Sequence, residues 1–181
     1  ALLVALMVGG VYNNLVGLQE GVDEAWGQVE NVYQRRADLI PNLVATVKGA
    51  ADFEQETLQN VIEARAKVGQ MNIEGAPTAA QMQAFQANQD ALSSALSRLL
   101  VVVERYPELK AVQAFQDLQV QLEGTENRIA VERRRFNEVT RDYNTARRRF
   151  PAVLIAGFLG FDDKPYFESK PGAEEPPQVE F

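Results

Sequence analysis

Val11, Leu15, Leu18, Val22, Ala25, Val29 and Val32 recur at spacings of 4, 3, 4, 3, 4 and 3. That is the period of a helix packed along one face against other helices. The stripe grows without a break out of ALLVALMV, the first eight residues, none of which carries a polar side chain. A chain patterned this way is constrained to long helices that bury a shared face, and its start is apolar enough to enter a bilayer.

The 181 residues suit one domain, and a hydrophobic content of 46% is enough for a sizeable core. The net charge of −7 makes the chain a poor general binder of nucleic acid, whose phosphates need a basic surface. With no Cys and no His, disulfides, thiolate chemistry, a His-activated nucleophile and His or Cys metal sites are all excluded.

Residues 1–12 are too few to cross a membrane, which takes roughly 20 apolar residues. They are expected to be the C-terminal part of a transmembrane anchor; the other reading is the remnant of a cleaved signal peptide. Asn13 and Asn14, beside Tyr12, mark the expected membrane–water boundary. No Lys or Arg precedes Arg35, so the flank lacks the basic residues that favour the cytoplasm and the following domain leans extracytoplasmic.

The first helix is expected to end near Ala37, because Leu39-Ile40-Pro41 places a proline where it disfavours helix at the residue before it. Pro41 would then open a second helix, carrying Val44, Val47, Ala51, Leu58, Val61, Ile62 and Val68 inward and weakened at Gly49 and Asp52. GQMNIEGAP, residues 69–77, reads as a loop. Thr78 and Gln81 fit a capping box at the start of a third helix. Its inward face is Met82, Phe85, Leu92, Leu96, Leu99 and Val103, with Gln89 as the polar position. A fourth helix is expected from about Glu108 to Arg149. Phe115, Leu118, Leu122, Thr125, Ile129, Glu132, Phe136, Val139, Tyr143 and Phe150 map its inner face. At about 60 Å it outruns the third helix, so it either kinks near Gly124 or overhangs beside the first. A second apolar run, AVLIAGFLGF at 152–161, precedes a Pro-rich tail expected to be extended and poorly packed, except where Tyr166, Phe167 and Phe181 find a surface.

Short connections imply an antiparallel up-down-up-down four-helix bundle with long helices, preceded by part of an N-terminal transmembrane helix. The expected division is 1–12 anchor, 13–150 bundle and 151–181 tail. In that topology the last helix returns to the membrane. Tyr12, Arg147, Arg148, Arg149, Phe150, Leu154, Phe158 and Phe161 are then the candidate contacts with lipid or a partner. Residues 128–149 hold eight arginines, whose first expectation is pairing with acidic neighbours, including those of the first helix. Glu132, on the inner face, is expected to pair with an arginine of another helix. Carboxylate pairs such as Asp23–Glu24 read as solvated helix face, and Trp26 as a core residue.

YNNLVGLQEGVDEAWGQV, QRRADLIPNLVATVKG and ETLQNVIEARAKV resemble the first half of the LemA family. LVVVERYPELKAVQAFQDLQVQLEGTENRIAVERRRFNEVTRDYN resembles its second half, and FPAVLIAGFLGFDDKPYFE with PQVEF its C-terminal signature. The resemblance implies a bacterial inner-membrane protein with one N-terminal span and a helical-bundle domain. It brings no catalytic residues, cofactor or metal to carry over.

The expectation is therefore a membrane-anchored scaffold or interaction module, without enzymatic activity, that meets the lipid bilayer, a membrane-protein partner or a second copy of itself. No nucleic acid and no small-molecule substrate are implied. The alternative is an extracytoplasmic sensor, or an accessory subunit of a membrane enzyme such as a protease. A pocket inside the bundle with convergent polar groups would favour that alternative.

Overall fold

The computed structural model describes residues 2–49 and 53–168, with side chains from residue 6 onward. Among the described residues the regular structure is all helical, with no strand. α1 spans Leu2–Lys48, α2 Gln55–Gly69, α3 Ala79–Val103, α4 Pro107–Lys110 and α5 Gln113–Arg148; a 3-10 turn, Ala152–Leu154, follows. Among the described residues no helix is long and apolar enough to cross a membrane.

α1 and α5 are the frame. At 47 and 36 residues they measure about 70 and 54 Å. They run antiparallel: Trp26 meets Phe136, while Arg36, further along α1, meets Glu126, further back on α5. α2 and α3 are antiparallel to each other, Glu54 pairing with Arg105 across their ends. α3 runs in the direction of α1, since Trp26 contacts Phe85 and Arg36 reaches Gln89 and Ser93.

The first helix does not stop at Ala37. It passes through Pro41 to Lys48. The residues around the proline explain why: Ile40, Leu43 and Val47 are buried to within about 1% of their surface. Burying each such side chain is worth about 1.5–3 kcal/mol, which together outweighs the roughly 3 kcal/mol cost of an interior proline. The carbonyl that Pro41 leaves without a donor is that of Ala37, and it accepts from Arg65 Nε. Val44 and Val47 thus belong to α1, the chain leaves helix at Gly49, and Ile62 is exposed rather than inward. Ala51 and Asp52 lie outside the described residues.

The third helix matches its pattern. Thr78 Oγ1 accepts from the Gln81 N–H and the Gln81 side chain accepts from the Thr78 N–H, closing the capping box. Met82, Phe85, Gln89, Leu92, Leu96, Leu99 and Val103 are all buried. The expected fourth helix is divided: Pro107 opens the short α4, and α5 begins afresh at Gln113. α5 continues unbroken through Gly124, and its C-terminal half runs beside the N-terminal half of α1, as Gly21 against Val139 shows.

The core lies in two apolar clusters. One gathers the end of α1, α2, the second half of α3, α4 and the start of α5 around Leu43, Val61, Leu99 and Phe115. The other gathers Leu15, Val22, Trp26, Phe85, Phe136 and Tyr143 with Ile73, Phe161 and Phe167. Between them sits a polar layer one turn deep: Arg36, Gln89 and Thr125, all buried. The connection before α3 is pinned to α1 by Asp23, whose carboxylate accepts from the Ala76 N–H at 2.7 Å. Gly75, at φ +68° beside that carboxylate, makes the turn a side chain would strain.

Candidate functional site

The sequence singles out the end where α5 returns towards the start of α1. α5 closes with Arg147 and Arg148, cations at the negative end of the helix dipole. Pro151 then prevents continuation, and the Phe150–Pro151 peptide is cis. Residues 152–160 form a turn-rich lobe that alternates between two fates. Ala152, Ala156 and Phe161 are buried; Phe150 is 78% and Phe158 94% exposed, with Val153 and Leu154 also open.

The lobe is fixed to α1 by Phe161, whose ring packs edge-on against Tyr12 at 5.6 Å. Phe161 is therefore a core residue, not the surface contact expected of it. Its burial follows from Gly160, at φ +80°, which turns the chain so that Phe161 points inward. Arg147 is held rather than free: Nε donates to the Phe161 carbonyl at 2.6 Å and Nη1 pairs with Asp163 at 3.1 Å. Arg148 shares Asp163 at 3.2 Å but stays exposed. Arg149 is exposed and forms no ion pair among the described residues. Tyr12, Arg148, Arg149, Phe150, Leu154 and Phe158 thus share one end of the molecule, joined there by Leu6 and Met7 of the apolar start and Val153 of the second apolar run.

Beyond this lobe the chain is extended, as expected, but well packed. Asn144 donates to the Lys164 carbonyl and accepts from its N–H; Asn137 does the same for Phe167. Two asparagines seven residues apart on α5, about 10.5 Å along its axis, match two positions three residues apart on an extended strap. Tyr143 donates to the Asp162 carbonyl at 3.0 Å. Phe167 fills a box of Trp26, Phe85 and Phe136, with the Arg133 guanidinium 4.7 Å from its ring centre. The heptad repetition of Asn beside Phe136 and Tyr143 was the signal available in the sequence. Phe181 lies outside the described residues.

The polar layer is the other concentration of charge. Arg36, 1% exposed, donates through Nη1 to Glu126 at 2.6 Å and Ser93 Oγ at 2.8 Å, and through Nη2 to the side chain and carbonyl of Gln89. Its guanidinium lies 5.1 Å from the centre of the Tyr33 ring. Burial raises the Tyr33 phenol above its ordinary value, opposed by Arg133 and Arg36. Burial likewise raises the Glu30 carboxyl, with the Trp26 side chain acting the other way. Glu132 has no arginine partner among the described residues, and its Oε2 is buried without a hydrogen bond; the ion pair expected for it does not form. Among the described residues the arginines of α5 also find no acidic partner on α1, and the pairs they make there are with Asp142 and Asp163.

This arrangement fixes three helices against one another: Arg36 Nη1 and Nη2 meet acceptors on α3 and α5, while its Nε is buried without a hydrogen bond. Among the described residues no group of three or more acidic residues, His or Cys is placed to hold a metal. Glu30, Tyr33, Gln34 and Gln89 converge on a space of about 70 Å³, the scale of a few water molecules.

Comparison with known proteins agrees with the local patterns. Magnetosome protein MamQ 2 of Paramagnetospirillum magneticum is 26% identical over 184 residues, covering 91% of this chain and 67% of that protein. Magnetosome protein MamQ of Magnetospirillum gryphiswaldense is 25% identical over 190 residues, covering 93% and 70%. The profile of the LemA family matches residues 25–181, and the chain belongs to that family.

Proposed function

We infer that the protein is a membrane-anchored interaction module: an up-down-up-down four-helix bundle held at the inner membrane by a span that residues 1–12 complete, its bundle on the extracytoplasmic side. Its lobe at 150–160 rests on the bilayer surface, and its work is binding rather than catalysis. The supporting observation is the exposure of Phe150, Val153, Leu154 and Phe158 beside Arg148 and Arg149, at the end where α1 begins in apolar residues. Aromatic and aliphatic side chains flanked by arginines suit the headgroup boundary: the rings enter the acyl edge while the guanidiniums meet phosphate. The apolar start of α1 supports the anchor, and magnetosome proteins among the relatives are consistent with a membrane role.

The test is a depth measurement on the full chain in proteoliposomes. An environment-sensitive dye on Phe158→Cys should report a dry environment, quenched by brominated lipid. The same dye on Val101→Cys, exposed at the far end of α3, should stay in water. Equal water exposure at both sites would end the reading.

A further inference from the structure

The outward face of α5 carries Gln113, Asp117, Val120, Gly124, Asn127, Val131, Arg134 and Glu138 at alternating spacings of 4 and 3, and all of them are exposed. This is a second heptad seam, opposite the one that faces the core. Val120 is 68% and Val131 56% exposed, in the middle of an otherwise polar surface. A Cβ added at Gly124 would meet nothing within 4 Å, so the seam is open there and lets another backbone approach.

The charges along α5 are unevenly divided. Residues 113–127 hold Asp117, Glu123 and Glu126 and no basic residue, whereas 128–148 hold seven arginines against Glu132, Glu138 and Asp142. A parallel copy would set like against like. An antiparallel copy sets acidic half against basic half.

We propose that α5 pairs antiparallel with α5 of a second copy, about a two-fold axis between Thr125 and Glu126. Turning the seam on itself there matches Val120 with Val131, Gly124 with Asn127, Asp117 with Arg134 and Gln113 with Glu138. Each match occurs twice, as an isologous interface requires. Arg134 forms no ion pair within its own chain among the described residues. Among the described residues Asp117 accepts only the neighbouring Gln113 amide, at 2.8 Å.

The axis lies across the helix, so the two lobes point in opposite directions, with the two Arg148 residues about 70 Å apart along α5. If the lobes rest on membranes, as inferred above, the paired copies come from apposed bilayers and bridge them. That consequence depends on the lobe reading; the pairing does not.

The chain has no cysteine, which makes the register directly testable. Full-length Val120→Cys and Val131→Cys are mixed in detergent and oxidised. The expected product is the mixed disulfide. Homodimers of Val120→Cys would place equivalent residues together, as in a parallel pair, and would overturn the proposal; so would absence of cross-linking. Asp117→Arg and Arg134→Asp should each weaken the dimer roughly tenfold, and the double variant should recover it. Gly124→Trp should keep its helical content yet sediment as a monomer. If the double variant stays as weak as the single ones, the seam is wrong. Clustering of proteoliposomes needs both pairing and lobe, so cross-linking without clustering would separate failure of the lobe reading from failure of the seam.

Discussion

Arg65 Nε lies 3.1 Å from the carbonyl of Ala37, the oxygen four residues before Pro41 that an ordinary helical residue would have bonded. A cation on α2 thus supplies the hydrogen bond a proline removes from α1. It explains how a 47-residue helix tolerates an interior proline, and it ties α2 to α1 at that point.

The coupling should be visible in a mutant cycle. Arg65→Ala should cost about 1–2 kcal/mol, the penalty of an unpartnered carbonyl plus lost packing. In a Pro41→Ala background the backbone N–H returns, and the cost of Arg65→Ala should fall by about 1 kcal/mol. Urea denaturation of the four proteins measures this; equal costs in both backgrounds would show the contact to be incidental.

Arg36 is the most demanding residue of the interior. Arg36→Ala should destabilise by about 3–5 kcal/mol, since it leaves Gln89 without its partner and opens a cavity between the two clusters. Arg36→Met, which refills the space with hydrocarbon, should cost clearly less. Glu126 is half in water, its side chain 51% exposed, so Glu126→Gln should cost no more than about 1 kcal/mol. Thermal and denaturant unfolding provide the ranking.

The strap at 162–168 depends on two asparagines. Asn144→Ala and Asn137→Ala each remove a two-way bond to backbone, and each should cost about 1–2 kcal/mol. Hydrogen exchange at the amides of Lys164 and Phe167 should accelerate selectively, at 164 for the first variant and at 167 for the second. Phe167→Ala should cost more, about 3–5 kcal/mol, because it empties an aromatic box.

Glu30 gives a pH dependence of definite sign. Burial raises its carboxyl in the folded chain above the ordinary 4.5, so the folded state holds the proton more tightly than the unfolded one. Stability from this group is therefore lost as pH rises from about 4.5 through the raised value, and stays lost above it. Glu30→Gln keeps the size and polarity of the side chain but cannot ionise. Its melting temperature should exceed that of the parent at pH 8, and the gap should shrink towards pH 4. A gap independent of pH would mean that Glu30 is not the source.

The sequence by itself determined what short-range pattern controls. Apolar residues at spacings of 3 and 4 made the chain helical, and the stripe from Leu15 to Val29 marked the face of α1 that is buried. Thr78 and Gln81 placed the start of α3 because a capping box is complete within four residues. The tertiary structure decided whatever depends on a distant partner. Pro41 reads locally as a break; only burial of Ile40, Leu43 and Val47 and the reach of Arg65 let the helix continue. Arg36 carries no local mark of burial; Gln89, Ser93 and Glu126, arriving from two other helices, are what hold it inside. Apart from Tyr166 and Phe167, the strap reads as loose tail, because the asparagines and the aromatic box that hold it lie 20 or more residues away. Phe161 and Phe158, three residues apart in one apolar run, look alike in sequence, and one turn at Gly160 sends the first inward and leaves the second in the open.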